Sequence, residues 1–127
     1  VSLKGVVLKP NMIVPGFKNS KKITSEEIAK KTLDCLKKNV PSDVPGIAFL
    51  SGGQSEQEAT SNLDAINKIN DTNFLITYSY GRALQQSALK TWSKEMSNTK
   101  AIHAVFNHRA KMNGLASKGE WSQALEI

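Results

Sequence analysis

The chain has 127 residues, of which 39% are hydrophobic and 22% are charged, and its net charge is +6 at neutral pH. This composition excludes an intrinsically disordered chain, and the apolar runs are too short to span a bilayer. The length fits one domain. Cys35 is the single cysteine, which excludes an internal disulfide and favours a reducing, cytoplasmic location.

The positive charge is compatible with nucleic acid, an acidic membrane surface or small anionic molecules as partners. Basic residues are scattered over the predicted helix surfaces, and neither a zinc-finger spacing nor a glycine-aromatic RNA-binding signature occurs. We therefore expect phosphate-bearing small molecules as partners, and neither nucleic acid nor a membrane. His103 and His108 lie five residues apart, on different faces of a predicted helix, so we expect no metal site.

The first predicted strand covers residues 1–9. Its apolar residues 6–8 suit a strand covered on both faces, and Pro10 ends the strand because proline cannot donate to a sheet ladder. Lys9, at the tip, is a candidate for a desolvated amine, since desolvation favours the neutral form that can make a Schiff base with a carbonyl. The alternative is a strand-end lysine whose ammonium group reaches solvent.

The first predicted helix follows a polar loop over residues 10–22. Thr24 and Glu27 have the spacing of a capping box, which predicts the helix start, and Pro41 marks its end. Spacings of four, three and four predict one buried face, formed by Ala29, Leu33, Leu36 and Val40.

The second strand and helix repeat this arrangement. Residues 46–50 form an apolar strand, and Ser55 with Glu58 forms the next capping box. The helix that follows has an apolar stripe of Ala59, Leu63 and Ile66.

A third strand, over residues 74–79, precedes the last two predicted helices. The first of these has an apolar residue at every fourth position, and both tryptophans, Trp92 and Trp121, are expected to pack against neighbours. This first stripe consists of Leu84, Ala88, Trp92 and Met96. The stripe of the second helix consists of Ile102, Val105, Phe106, Arg109 and Met112. A polar C-terminal tail is expected over residues 113–127.

The alternation of strands and helices predicts an α/β fold with parallel strands and helical crossovers. In such sheets the carboxyl ends of the strands lie at one edge, where ligands bind. The candidate residues at or just after the tips of the three strands are Lys9, Ser51, Gly52, Gly53, Ser79, Gly81 and Arg82. Free N–H groups at two helix starts, together with the guanidinium of Arg82, favour a phosphate site. The alternative for Gly52 and Gly53 is a tight turn without a ligand.

No carboxylate follows a predicted strand. Cleavage of a carbon–carbon bond through an imine needs a general acid and base. The helix dipole already accounts for the glutamates in first helical turns, which are Glu26, Glu27, Glu56 and Glu58. The residues by themselves therefore leave two hypotheses open, an incomplete enzyme and a non-catalytic phosphate- or partner-binding module.

Three segments resemble the Schiff-base (class I) fructose-bisphosphate aldolases. They are LKPNM at residues 8–12, FLSGGQSE at 49–56 and SYGRALQ at 79–85. The resemblance extends in order from about Leu3 to about Gly119.

The resemblance implies a (β/α)8 TIM barrel. Residues 1–127 would be its last three strand–helix units plus a C-terminal helix, since a whole barrel needs about 250 residues. It also implies that Lys9 is the catalytic Schiff-base lysine. The implied phosphate-binding residues are Ser51, Gly52, Gly53, Ser79, Gly81 and Arg82.

The implied reaction is the reversible cleavage of fructose 1,6-bisphosphate into dihydroxyacetone phosphate and glyceraldehyde 3-phosphate. The resemblance further implies that no metal or other cofactor takes part, and that the enzyme is a cytoplasmic homotetramer. The family's catalytic aspartate, glutamates and further lysines lie on earlier strands. We therefore expect residues 1–127 to be inactive in isolation, with open sheet edges that favour aggregation.

Overall fold

The computed structural model describes residues 1–126 and contains three strands and four α-helices within them. The strands are β1 (Val7–Leu8), β2 (Gly46–Phe49) and β3 (Leu75–Tyr78). The helices are α1 (Ser25–Asn39), α2 (Glu56–Lys68), α3 (Arg82–Lys94) and α4 (Thr99–Ala116). Short 3-10 helices cover Leu3–Gly5 and Gln123–Leu125.

The three strands form one parallel sheet in the order β1-β2-β3. Val7 pairs with Gly46, and Gly46 pairs with Leu75 on its other side. Helix α1 connects β1 to β2, and α2 connects β2 to β3. The predicted α/β class and parallel strand direction are confirmed.

The first strand is shorter than the predicted residues 1–9. The amides of Gly5 and Val6 donate to the carbonyls of Ser2 and Leu3. These bonds form a local 3-10 turn, so only Val7 and Leu8 remain for the ladder with β2.

Within the described part of the chain, helices cover only one face of the sheet. The apolar character of the strands had predicted that both faces are covered. Ile47, Phe49 and Ile76 are buried in one hydrophobic core with residues of α1 and α2. On the other face Val7 is 65% exposed and Leu75 is 77% exposed. Residues 1–126 supply helices to one face, so the apolar side chains of the other lack a partner here.

The buried stripes of α1 and α2 agree with the prediction. Ala59, Leu63 and Ile66 are all fully buried in the core. The stripe of α1 is also buried up to Leu36, and Val40 is partly buried beyond the helix end. The apolar periodicity therefore identified the core faces of both crossover helices.

The two predicted capping boxes differ in the structure. Ser55 and Glu58 form the complete motif, in which each side chain accepts from the other's backbone N–H. At α1, Thr24 accepts from the Glu27 amide at 3.3 Å, but the Glu27 carboxylate lies 3.9 Å from the Lys31 ammonium instead. Only one half of that predicted box is present.

Helix α3 buries only the first part of its predicted stripe, since Leu84 packs against the core but Trp92 and Met96 do not. Its buried residues are Ala83 and Ala88, whereas Trp92 is 47% exposed and Met96, beyond the helix end, is 65% exposed. A strict four-residue repeat turns by about 40° per step around a helix of 3.6 residues per turn. Such a stripe therefore rotates out of the core within three steps.

Helix α4 continues to Ala116, past the predicted beginning of the tail at residue 113. The segment after it packs back, with Trp121 buried as expected. The Glu126 carboxylate accepts two hydrogen bonds from Arg109, at 2.7 and 2.8 Å, and one from the Trp121 indole at 3.1 Å. The tail is therefore fixed up to Glu126, and Ile127 lies outside the described residues.

Among the helices of residues 1–126, none is long and apolar enough to cross a membrane.

Candidate functional site

The carboxyl ends of the three strands are joined by hydrogen bonds just beyond the ladder. The Leu50 amide donates to the Pro10 carbonyl at 3.0 Å, and the Ser79 amide donates to the Phe49 carbonyl at 2.8 Å. These two bonds hold the residues after β1, β2 and β3 side by side.

All seven site residues predicted from the sequence line one cavity of about 670 Å³ at this edge. They are Lys9, Ser51, Gly52, Gly53, Ser79, Gly81 and Arg82. The predicted proximity of the strand tips is confirmed. The roles of these residues in chemistry or phosphate binding stay predictions.

The loop after β2 favours glycine at Gly53 by its backbone conformation and at Gly52 by its close neighbours. Gly53 has φ +79°, in the left-handed region that L-residues rarely adopt. At Gly52, an added Cβ would lie 3.1 Å from Leu50 Cδ1 and 3.4 Å from Asn11 Nδ2. The Gln54 amide donates to the Ser51 carbonyl at 3.1 Å and closes the turn. The loop is therefore a tight turn, and whether it also binds an anion stays a prediction.

The start of α3 has the features of an anion site. Its N-cap is Gly81, with no side-chain cap, and its first turn contains no acidic residue. The first N–H groups of a helix lack intrahelical acceptors, and the helix dipole favours negative charge there. Arg82 adds a permanent cation at the same helix end. An oxyanion in the cavity would satisfy both groups.

Tyr80, between Ser79 and Gly81, has a structural role. Its hydroxyl donates to the Ala59 carbonyl at 2.9 Å and ties the tip of β3 to α2. Burial, with a smaller effect from neighbouring Tyr78, raises the pKa of Tyr80 well above its ordinary value. The phenol therefore stays protonated, and it fixes the backbone that carries Ser79 and Gly81.

Lys9 is exposed, which differs from the desolvated amine predicted from the sequence. It lies on the sheet face that residues 1–126 leave uncovered, so no apolar layer shields it. The alternative interpretation, a strand-end lysine that reaches solvent, describes these residues better. The cavity lining contains no Asp or Glu from residues 1–126, so the chain shows no general acid–base pair beside Lys9.

Four further residues, which the sequence patterns did not single out, also line the cavity. They are Phe17, Leu50, Gln54 and Gln86. Phe17 comes from the polar loop after β1, is 99% exposed, and its ring edge lies 3.7 Å from an ideal Cβ at Gly53. Gln86 lies one helical turn after Arg82, a spacing that places two side chains on one face. The spacing between Arg82 and Gln86 could therefore have identified Gln86 as a cavity residue. The position of Phe17 could not be predicted, because it depends on the path of the loop.

Metal ligands are not grouped within the described part of the chain. No cluster of three His, Cys, Asp or Glu side chains there is arranged to hold an ion. His108 instead lies 3.2 Å from Glu126, away from the cavity at the strand tips.

Comparison with known families gives a match over nearly the whole chain. The family model described as fructose-bisphosphate aldolase class-I matches residues 1–126. Fructose-bisphosphate aldolase B of Sparus aurata is 52% identical over 122 residues, which are 95% of this chain and 34% of the relative. The fructose-bisphosphate aldolase of Dictyostelium discoideum is 46% identical and is matched over 34% of its length.

The solved structures include a similar fold. A fructose-bisphosphate aldolase of Plasmodium falciparum, in complex with TRAP and a small-molecule inhibitor, superimposes with a TM-score of 0.91 and 42% identity. The match covers 96% of this chain and 35% of that one. The chain thus spans about a third of the length of the relatives it matches.

Proposed function

Because the chain belongs to the class-I fructose-bisphosphate aldolase family, we propose that it forms the C-terminal part of a single (β/α)8 barrel. Residues 1–127 would supply the last three strand–helix units and the C-terminal helix. The parallel order β1-β2-β3 and the uncovered sheet face with Val7 and Leu75 support this assignment. In a closed barrel, inward-pointing side chains of all eight strands pack in layers and cover such a face.

The proposed activity of the complete enzyme is the reversible cleavage of fructose 1,6-bisphosphate into dihydroxyacetone phosphate and glyceraldehyde 3-phosphate. The observation that carries the proposal is the shared cavity of Lys9, the Ser51–Gly53 loop and Arg82. The Lys9 amine would attack the keto carbon, form a C–N bond and expel water to give an imine. The bond between C3 and C4 then breaks, and its electron pair moves into the protonated imine at C2 to give an enamine. The C4 hydroxyl would give its proton to a general base outside residues 1–126, and C4 would leave as the aldehyde of glyceraldehyde 3-phosphate.

The phosphate group would be held beside this lysine. The α3 N-terminus at Gly81 and the guanidinium of Arg82 attract its charge, and the glycines of the β2 loop allow close backbone approach. Ser51 and Ser79 add hydroxyl groups to the same cavity. Fixing the phosphate would place the keto carbon within reach of Lys9.

Trapping of the imine tests this proposal directly. The complete enzyme is mixed with dihydroxyacetone phosphate, reduced with borohydride, and its modified peptide is mapped by mass. A secondary amine on Lys9 supports the proposed mechanism. The matched variant Lys9→Arg keeps the charge but cannot form a productive imine at neutral pH, so it should give no adduct.

The second candidate is a non-catalytic phosphate- or partner-binding module, which needs the cations of the cavity but no acid–base pair, and the cavity lining from residues 1–126 contains no Asp or Glu. In that case Lys9 is a plain cation, and Lys9→Arg retains phosphate binding while neither protein gives an adduct. An adduct on Lys9 in the unmodified protein would exclude this module.

We also expect a homotetramer in the cytoplasm, on the strength of family membership alone. Sedimentation velocity of the complete enzyme checks the assembly state, and fluorescence microscopy of a tagged chain checks the compartment.

A further inference from the structure

Asn11 connects the loop after β1 to the loop after β2. Its side-chain amide donates to the Gly52 carbonyl at 3.2 Å, and its side-chain oxygen accepts from the Met12 amide at 2.9 Å. Both ends of the side chain are therefore used, one locally and one across 41 residues of sequence.

The backbone around Asn11 is a rigid support for this contact. The Pro10 carbonyl accepts from the Leu50 amide at 3.0 Å. Met12 is buried, and the Ile13 amide donates at 3.0 Å to the hydroxyl of Thr32, which is itself buried. Lys9 directly precedes this pinned segment. A shift of the β2 loop relative to Asn11 is therefore also a shift relative to Lys9.

The contact sets the orientation of one peptide group in the β2 loop. A trans peptide is planar, and its C=O and N–H point in opposite directions. Holding the Gly52 carbonyl on Asn11 therefore turns the Gly53 N–H away from Asn11. Glycines at both positions make rotation of this peptide sterically easy, so the loop itself supplies little resistance to a flip.

We propose that Asn11 is a positioning residue, which holds the Gly52–Gly53 peptide in the orientation that phosphate binding requires and in register with Lys9. The inference rests on the proposed function of this loop as a phosphate site. Asparagine suits the role because its amide nitrogen can donate to a carbonyl and carries no charge. A carboxylate at this position could only accept, and it would repel both the Gly52 carbonyl and a phosphate.

The test uses the complete enzyme with Asn11→Ala. Binding of inorganic phosphate, followed by 31P NMR titration, should weaken by about three- to tenfold, the effect of one lost hydrogen bond. KM for fructose 1,6-bisphosphate should rise by a similar factor, with kcat changed by less than about twofold. Unchanged phosphate affinity would overturn the proposal.

A matched control lies in the same loop. Asn19 also uses both ends of its amide, but on Lys21 only. Asn19→Ala removes an equivalent side chain away from the β2 loop, and it should leave phosphate affinity unchanged. An equal effect of both substitutions would show that general loosening of the loop, rather than the contact to Gly52, is responsible.

A second variant, Asn11→Asp, keeps the acceptor for the Met12 amide and removes only the donor to Gly52. It should weaken phosphate binding at least as much as Asn11→Ala. Borohydride trapping is carried out with dihydroxyacetone and, separately, with dihydroxyacetone phosphate. The comparison separates a loss of phosphate positioning from general damage to the site around Lys9. Positioning lowers the yield with the phosphorylated ketone only, whereas an equal loss with both ketones contradicts it.

Failure of the proposed function has a different signature. The unmodified enzyme would then give no adduct on Lys9 with either ketone. The titration with inorganic phosphate still decides the role of Asn11, because it does not depend on catalysis.

Discussion

Gly53 has a backbone conformation that an L-residue adopts only with strain. We expect Gly53→Ala to lower the free energy of unfolding of the complete enzyme by about 1–2 kcal/mol, since its φ of +79° lies in the left-handed region. The control is Gly16→Ala, where no atom lies within 4 Å of an added Cβ and φ is not positive. Thermal unfolding measures both, and an equal loss in the two variants would contradict the assigned strain.

Glu126 is the buried acid that fixes the C-terminal segment, with a side chain only 4% exposed. Desolvation raises its pKa, but hydrogen bonds from Arg109, His108 and Trp121 outweigh this effect and hold the pKa below its ordinary value. The ionised carboxylate therefore stabilises the fold above the unfolded pKa of about 4.3. That contribution is lost as the pH falls through the lower pKa of the folded state.

This arrangement predicts a pH-dependent effect of Glu126→Gln. At pH 7 the substitution should lower the free energy of unfolding by about 3 kcal/mol, because it leaves the buried charge of Arg109 without its partner. The difference from the unmodified protein should shrink in acid, where Glu126 is also neutral. Urea unfolding at pH 7 and at pH 4 or below measures it. Glu120→Gln, at an exposed carboxylate nearby, should show little effect at any pH.

At the scale of elements, the two capping motifs offer a matched comparison. Glu58→Ala removes the carboxylate that accepts from the Ser55 amide at 2.8 Å, whereas Glu27→Ala removes a carboxylate at the same helix position that makes no such contact. We expect a loss of about 1 kcal/mol at Glu58 and a smaller loss at Glu27. Chemical unfolding of the two variants ranks them, and an equal or larger effect at Glu27 would show that the reciprocal glutamate contact contributes little.

Sequence patterns predicted the elements whose environment is local to the chain. Capping residues and stripes with mixed spacings of three and four placed α1 and α2 correctly. The α3 stripe held at Leu84 and Ala88 but not at Trp92, because a strict spacing of four drifts around the helix and turns Trp92 out of the core. Arg109 was grouped with apolar residues, and its true partner, Glu126, could not be found by periodicity because the contact depends on how the C-terminal segment folds back.

For the whole molecule, topology made the proximity of the candidate site residues predictable. Parallel strands bring their carboxyl ends to one edge, so the proximity of Lys9, Ser51 and Arg82 followed from the alternation of strands and helices. The exposure of Lys9 did not follow, because the apolar strand favoured cover on both faces whereas residues 1–126 cover only one. The contribution of Phe17 to the cavity lining could not be predicted either, because the path of a loop produces no periodic pattern in the sequence.

Isolated residues 1–127 should not cleave fructose 1,6-bisphosphate. The cavity lacks a carboxylate from residues 1–126, and the chain leaves the outer edges of β1 and β3 without neighbouring strands. Unpaired edges template association with other chains, so light scattering should detect aggregates of the purified fragment. Turnover comparable to that of the complete enzyme would refute the prediction.

The order of the cavity residues along the chain has a consequence for protein engineering. Every residue proposed to recognise phosphate, together with the proposed lysine nucleophile, lies in one uninterrupted stretch from Lys9 to Arg82. If the proposed function holds, ligand recognition and acid–base chemistry reside on separable lengths of polypeptide. Exchanging this stretch between two aldolases would make a chimera that inherits its phosphate preference from one parent and its proton-transfer groups from the other.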